Sequence, residues 1–462
     1  MASGTTSPDN LSKVFKAYDV RGIVGEQLDE ELARATGAAY VEVLGVDAMV
    51  IGYDMRPSSP ALAGAFADGA TSAGADVTMI GLASTDQLYF ASGHLDLPGA
   101  MFTASHNPAQ YNGIKMCRAL AQPVGMESGL AEIRDRVAAA SGGAGAAGAG
   151  RTGSISSHDV LQAYAAHLLA LAPVAGRRLK VVVDAGNGMA GHTAPAVFGR
   201  LSGQVEMVPM YFELDGTFPH HEANPIEPAN LVDLQKAVIS ERADIGLAFD
   251  GDADRCFLVD ERGELVSPST LTALIAAREL AKEPGATVIH NLITSRAVPE
   301  IVTELGGTPV RTRVGHSYIK ATMAETDAIF GGEHSGHFYF RDFWRADSGM
   351  LAALHALAAL AESDRPLSEL LAEYARYPLS GEINSTVADQ GAVLAELEAT
   401  YGGQDGVTAD RLDGLSVGHA DWAFNVRASN TEPLLRLNAE GKDESTMARV
   451  RDEVLAIIRS SK

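Results

Sequence analysis

Ile245-Gly246-Leu247-Ala248-Phe249-Asp250-Gly251-Asp252-Ala253-Asp254-Arg255-Cys256-Phe257-Leu258-Val259 sets three aspartates, alternating with small residues, between two apolar runs. Each run has the length and unbroken apolarity of a buried strand, which places the aspartates in a loop at a strand end. Alternation in such a backbone lets three carboxylates converge on one hard cation, with Gly251 and Ala253 leaving room beside it. An oxygen cage of this kind suits Mg²⁺. Asp and Gly also dominate ordinary solvated turns, so the Asp-Gly-Asp alone is ambiguous, but Arg255 and the two core strands favour a site.

Outward from this stretch the same grammar recurs. Met49-Val50-Ile51-Gly52, Val77 to Ile80, Leu179 to Val183, Val288-Ile289 and Ala328 to Phe330 are short apolar runs separated by Ala-rich helical stretches. That pattern predicts an α/β chain with largely parallel sheets. A length of 462 residues allows three to four domains, each with its own core. The Gly/Ala tract from Ser141 to Gly150 carries no apolar period and reads as a flexible connection. A second βα series begins around Ser156, with His158 and His167 expected on a helix, partly exposed or satisfied by the core; a third follows Asp260. From about Leu379 alternating strands lead to a terminal helix with Met447, Val450, Val454, Ile457 and Ile458 on one face, which suggests a smaller α+β domain. The expected segments are 1–152, 153–258, 259–376 and 377–462.

A second constellation supplies a hydroxyl. Thr103-Ala104-Ser105-His106-Asn107-Pro108 follows the apolar Ala100-Met101-Phe102. Pro108 fixes its own φ and biases Asn107 away from helix, so the turn is stiff and Ser105 stands at its tip. Neither a Gly-x-Ser-x-Gly elbow nor a familiar Asp-His spacing accompanies it, which argues against a hydrolase triad. By itself Ser105 is better explained as a turn residue making a local hydrogen bond.

Composition narrows the partners. Lys plus Arg number 36 against 59 Asp plus Glu, a formal charge of −23. Counterion release on nucleic acid needs a basic face, and none is evident, so neither nucleic acid nor an anionic membrane is expected as a partner. Met1 to Thr6 lacks a charged-then-apolar leader pattern, and the apolar run Met350 to Ala361 contains His355 and is too short to span a bilayer. A cytoplasmic location is expected, with Cys117 and Cys256 as buried thiols rather than a bridge or metal ligands.

Thr103 to Pro108 with Tyr111-Asn112-Gly113-Ile114-Lys115, then Asp250 to Arg255, then Gly332-Glu333-His334-Ser335-Gly336-His337, then Arg427-Ala428-Ser429-Asn430-Thr431-Glu432-Pro433 resemble, in this order, the four motifs of the α-D-phosphohexomutase superfamily. The likeness is strongest to its bacterial phosphomannomutase/phosphoglucomutase branch and spans nearly the whole chain. It implies three similar mixed α/β domains and a smaller α+β C-terminal domain, carrying in turn a phosphoserine loop, a metal loop, a sugar loop and a phosphate loop, with the active site in the central cleft. It also implies interconversion of hexose 1-phosphates and hexose 6-phosphates through a hexose 1,6-bisphosphate, which serves as activator too. The partners would be small hexose phosphates, and the enzyme a monomer or homodimer.

By the same resemblance Ser105 carries a phosphoryl group, and Asp250, Asp252 and Asp254 hold one Mg²⁺ per active site against an oxygen on Ser105. Arg21, His106, Lys115 and Arg255 line the phosphoserine, where cations and donors stabilise charge in transfer. Glu333 and Ser335 would read sugar hydroxyls, as an acceptor and a donor at short reach, with His337 beside the reacting hydroxyl. Gly315-His316-Ser317-Tyr318-Ile319-Lys320 resembles a second substrate loop, with His316 near the reacting end. Arg427, Ser429, Asn430 and Thr431 form a distal phosphate clamp, a guanidinium fork supplemented by neutral donors. Tyr18 borders the same cleft, and Arg436 either joins the clamp or closes a strand end. Reading O3 and O4 near the turning axis would leave mannose and glucose, which differ at C2, poorly discriminated.

Two positions depart from the pattern. Ile293, in Asn291-Leu292-Ile293-Thr294-Ser295-Arg296, stands where dual-specificity members carry a lysine, so either Arg296 compensates or substrate preference differs. His334 replaces a residue often apolar. Among alternatives, phosphoglucosamine mutase usually has Gly-Thr after the clamp arginine rather than Arg427-Ala428-Ser429-Asn430. A metal-dependent sugar phosphatase would not need the clamp or the Glu333 loop. A non-catalytic sugar-phosphate sensor would not need Ser105 and all three aspartates.

Overall fold

The structure, a computed structural model, describes residues 4–141, 151–428 and 434–460. The chain divides into two compact units, one of Met1–Val266 with Ser335–Ser368 and one of Ser267–His334 with Glu369–Lys462.

In the first unit two sheets carry the loops of interest. The first runs, strand by strand, Asp19–Ile23, Tyr111–Arg118, Gly99–Phe102, Ala48–Tyr53, Asp76–Leu82 and Ile155–Ser157, with Gln122–Pro123 beside Tyr111–Arg118. Ala48–Tyr53 is parallel to both Gly99–Phe102 and Asp76–Leu82, whereas Tyr111–Arg118 runs antiparallel to its neighbours. Phe102 faces Ile114 and Arg21 faces Gly113 in register, so the Ser105 turn is the connection between two adjacent strands. Gly99–Phe102 is buried at every position. The second sheet orders Leu265–Val266, Cys256–Asp260, Ile245–Phe249, Leu179–Asp184 and Val205–Met210. Ile245–Phe249 and Cys256–Asp260 pair antiparallel and are buried throughout, as the apolar runs required. Both sheets are mixed rather than largely parallel, because each returns through an antiparallel hairpin at its functional loop.

Three expectations shift. A boundary after 258 would cut Cys256–Asp260, which runs on and pairs with Leu265–Val266. Ile155–Ser157, expected to open the second βα series, joins the first sheet parallel to Asp76–Leu82. His158 is exposed and precedes the helix Leu161–Leu171, while His167 lies on that helix, half-buried and stacked on Trp344. The Gly/Ala tract at 142–150 is outside the described residues. Helix Gly349–Ala361 is buried along its whole length, with Ser348 Oγ accepting from Leu351 N at its start. Among the described residues no helix is long and apolar enough to cross a membrane. Cys117 and Cys256 are both buried and are not joined in a disulfide.

In the second unit Thr287–Asn291 is parallel to both Thr308–Thr312 and Phe330–Gly332, with helices Pro268–Lys282, Ala297–Glu304 and His316–Thr326 in the connections. The C-terminal sheet is antiparallel, in the order Ile383–Thr386, Leu434–Gly441, Trp422–Ala428, Leu415–His419, Thr408–Asp410. Helix Glu444–Ser460 buries Met447, Val450, Val454, Leu455 and Ile458. Leu435, Leu437, Phe424 and Val426 form the core beneath it. The alternate residues of those strands, Arg427, Arg436 and Asn425 among them, are left for the opposite face, since strand side chains alternate.

Candidate active site

In the first unit the turn at 103–108 and the loop at 250–255 meet. Ser105 Oγ donates to Asp250 Oδ2 at 2.7 Å and lies 3.2 Å from His106 Nδ1. Ser105 has a φ of 48°, a left-handed conformation that costs a non-glycine residue about 1–3 kcal/mol and persists only where surroundings enforce it. They do so here. Ser105 N donates to Thr103 Oγ1 at 2.9 Å, and Asn107 N to the Ala104 carbonyl at 2.9 Å. Arg21, from the edge strand, donates to the Ala104 carbonyl at 3.3 Å and to the Asn107 side chain.

The strongest restraint is a residue that sequence reading passed over. Arg56 is 1% exposed. Its guanidinium donates to the carbonyls of Ser105 at 2.9 Å, Asn107 at 2.6 Å, Pro108 at 2.9 Å and Tyr111 at 3.0 Å. Asp54 holds it from behind, Nε to Oδ2 at 3.3 Å, and the ring of Phe218 lies 5.1 Å from its centre. The only sequence signal was Asp-x-Arg directly after an apolar strand.

Asp250, Asp252 and Asp254 are buried and offer one oxygen each within 4.8 Å of one another. Burial raises Asp250 to about 7 despite Arg255, whose Nε donates to its Oδ2 at 3.0 Å. Asp254, equally buried, is held well below the usual carboxylate range by Lys115 and His337. Lys115 Nζ donates to Asp252 Oδ2 at 2.8 Å and Asp254 Oδ2 at 2.6 Å, and these carboxylates outweigh burial to raise its pKa well above normal. Thr85 Oγ1 also donates to Asp252 Oδ2, at 2.6 Å, an unforeseen contact from the start of a helix. Asp252 Oδ1 and Asp254 Oδ1 are buried without a hydrogen-bond partner. Three carboxylates, two of them with an unspent oxygen, and no soft donor fit a small hard divalent cation. Gly251 lets the loops touch, since a Cβ there would stand 2.4 Å from the Ser105 carbonyl oxygen.

Two histidines complete this part. Burial, then Arg255 and Arg21, push His106 well below its usual pKa, leaving it neutral and able to accept. His337 Nε2 lies 3.5 Å from Asp254 Oδ1, and against burial this carboxylate raises its pKa. Ser335 Oγ is 3.0 Å from His337 Nδ1. Tyr18 is half-buried.

In the second unit Glu333 is 2% exposed at the end of Phe330–Gly332. Asn291, at the end of the neighbouring parallel strand, donates to Glu333 Oε2 at 3.1 Å and is itself held by Thr294 Oγ1 at 2.7 Å. Carboxyl ends of parallel strands are where α/β sheets present ligand groups. Gly332 is required beside it, since a Cβ would meet Thr272 at 2.5 Å. His316 opens the helix His316–Thr326, half-buried.

Arg296, one candidate to compensate for the missing lysine, is engaged with its own unit. Its Nη1 donates to the His419 carbonyl at 2.8 Å, its Nε lies 3.4 Å from Glu440 Oε1, and its head covers the Tyr377 ring at 4.2 Å. Ile293 instead lines a cavity with His290, His334, Asn425 and Glu440.

Arg427 and Arg436 face each other across neighbouring strands. Both reach one carboxylate, Arg427 Nη2 to Glu382 Oε2 at 3.1 Å and Arg436 Nη1 to Glu382 Oε1 at 3.0 Å. No local sequence signal marked Glu382. Burial lowers the pKa of His334, which Arg427 also disfavours in charged form and Glu382 favours. Ser429, Asn430 and Thr431 lie outside the described residues.

Four models of the phosphoglucomutase/phosphomannomutase family match in succession: alpha/beta/alpha domain I over residues 12–142, domain II over 162–263, domain III over 267–377 and the C-terminal domain over 382–457. The chain belongs to this family, and it is an isomerase that moves a phosphoryl group within a hexose phosphate. A phosphomannomutase of Salmonella montevideo is 42% identical, with 96% of this chain and 99% of that one covered. A phosphohexose mutase of Xanthomonas campestris pv. campestris is 41% identical, over 96% and 98% of the two chains. The crystal structure of a phosphoglucomutase/phosphomannomutase family protein from Burkholderia thailandensis superposes with a TM-score of 0.86 at 33% identity, covering 97% of each chain.

Proposed function

We propose that this isomerase works through a phosphorylated Ser105, converting hexose 1-phosphates and 6-phosphates by way of a hexose 1,6-bisphosphate, with mannose and glucose phosphates both accepted. The observation that carries the reading is the Ser105 hydroxyl, held in a left-handed turn and donating at 2.7 Å to the first of three buried aspartates. A serine placed there is set to bear a phosphoryl group whose charge its neighbours can meet.

Asp250, Asp252 and Asp254, with an oxygen on phosphorylated Ser105, would hold one Mg²⁺; the all-oxygen set and the two unspent carboxylate oxygens support this. The ion supplies positive charge beside the transferring group. The side chains do the remainder. Lys115 and Arg255 stabilise the equatorial oxygens, and Arg21 with neutral His106 donate or accept at the rim of the turn. His337 shuttles the proton of the reacting hydroxyl, its charge tuned by Asp254. Glu333 and Ser335 bind sugar hydroxyls, His316 the reacting end, and Tyr18 and Arg427, with Ser429, Asn430 and Thr431, the phosphate that stays on the sugar. Bisphosphate that escapes leaves Ser105 unphosphorylated, so added hexose 1,6-bisphosphate should act as an activator. The four domain segments are proposed to divide near 152 to 158, 266 and 377, consistent with the matched ranges.

The test is peptide mass analysis after incubation with a hexose 1,6-bisphosphate. Phosphate on Ser105, discharged by a hexose 1-phosphate, is expected; full activity with Ser105 unmodified would refute the proposal.

A further inference from the structure

Glu382 has no part in the reaction described above, yet it occupies the heads of two arginines of the second unit, Arg427 and Arg436. Each of its oxygens accepts from a different guanidinium, at 3.1 Å from Arg427 and 3.0 Å from Arg436. Among the described residues one carboxylate stands between two guanidiniums, which leaves a charge unmatched there, and the Nε of each arginine is buried with no hydrogen-bond partner. The pair can therefore serve a ligand with more charge and more oxygens than a carboxylate offers. A phosphate ester dianion is such a ligand, because guanidinium forks bind its oxygens in parallel charge-assisted bonds.

Glu382 is also placed to withdraw. It immediately precedes the strand Ile383–Thr386 and follows Gly381, whose φ is 68°. Its side chain is 20% exposed, and those of Arg427 and Arg436 15% and 30%, so the cluster is open enough to exchange an internal anion for an external one. His334, kept neutral by burial and by Arg427, adds no competing positive charge.

We propose that Glu382 is an internal stand-in for the distal phosphate: it keeps Arg427 and Arg436 paired in clamp geometry, competes with the phosphate for them, and reclaims them when the intermediate turns over. This rests on the reading of Arg427 as the clamp. Without such a competitor the clamp would hold one end of the bisphosphate too firmly, since emptying it would leave two guanidiniums unpaired. With it, release is an exchange of one anion for another.

The experiment compares full-length wild type, Glu382→Gln and Arg427→Ala, with inorganic phosphate as competitive inhibitor of hexose 1-phosphate turnover. Glu382→Gln should bind inorganic phosphate about tenfold more tightly, lower KM for the hexose 1-phosphate in step, and lower kcat as intermediate release slows. Glu382→Asp, which keeps the charge but shortens the reach, should show the same directions at smaller size and guards against a misfolded glutamine variant. Unchanged or weaker phosphate inhibition in Glu382→Gln overturns the proposal, because Glu382 would then only position the arginines. Arg427→Ala should abolish phosphate inhibition. If it does not, the clamp reading itself fails, whatever Glu382 does.

Discussion

Arg56→Lys is the most informative single change in the first unit. The native guanidinium serves four carbonyls of the Ser105 turn and pairs with Asp54, all with almost no solvent contact. Lysine keeps the charge that Asp54 needs, but its three donors sit on one nitrogen and cannot span four carbonyls. Two of them would lose a charged donor, at about 1.5–3 kcal/mol each, so destabilisation on the order of 3–6 kcal/mol is expected. The functional loss should be larger. The turn would relax from its left-handed geometry, and a displacement near 1 Å at a reacting atom costs roughly 10²-fold in rate. Turnover of a hexose 1-phosphate in a coupled assay should therefore fall about 10²-fold with KM little changed, while circular dichroism shows a folded protein with a lower melting midpoint. A variant that melts earlier but turns over normally would refute the positioning role. One that does neither would refute the hydrogen-bond account altogether.

Asp252→Asn should lower kcat on the order of 10²-fold with a small change in KM, and raise the Mg²⁺ concentration giving half-maximal rate, since the cation acts on charge developing in transfer; unaltered turnover across a Mg²⁺ titration would remove Asp252 from the metal site. Asp86 offers a pH test. Burial raises its pKa from 3.8 to about 7, although Ser348 and Tyr164 donate to it at 2.6 and 2.7 Å. The folded state then holds this proton where the unfolded chain has lost it, so its contribution to stability is full below about pH 4 and declines as pH rises to about 7. Denaturant unfolding at pH 5, 6 and 7 should show that decline in wild type and a flatter profile in Asp86→Asn; parallel profiles would exclude Asp86 as a source.

What could be read in the sequence was local. Asp250, Asp252 and Asp254 announce themselves because three carboxylates within five positions have few uses, and Ser105 because Pro108 stiffens its turn. Glu333 was named only through the family resemblance, since by itself its stretch reads as a polar turn between apolar runs. Arg56, Thr85 and Glu382 were not legible, since each acts on a segment tens to hundreds of residues away: Thr85 meets Asp252, and Glu382 meets Arg427 and Arg436. No periodicity records such pairings. The misplaced boundary after 258 had a related cause, because Leu265–Val266 is too short to read as a strand until its partner is seen. The contacts of Arg296 with Glu440 and Tyr377 were hidden for the same reason, since both partners are distant in sequence.

The φ of 48° at Ser105 bears on how such a protein should be engineered. Glycine would adopt this conformation without the side-chain penalty, so the serine that the proposed phosphoryl transfer needs is one the backbone disfavours. Position 105 is thus a point where fitness for catalysis and fitness for folding pull apart. A selection for heat resistance alone would drift toward glycine there and deliver a robust protein without the proposed phosphoryl carrier.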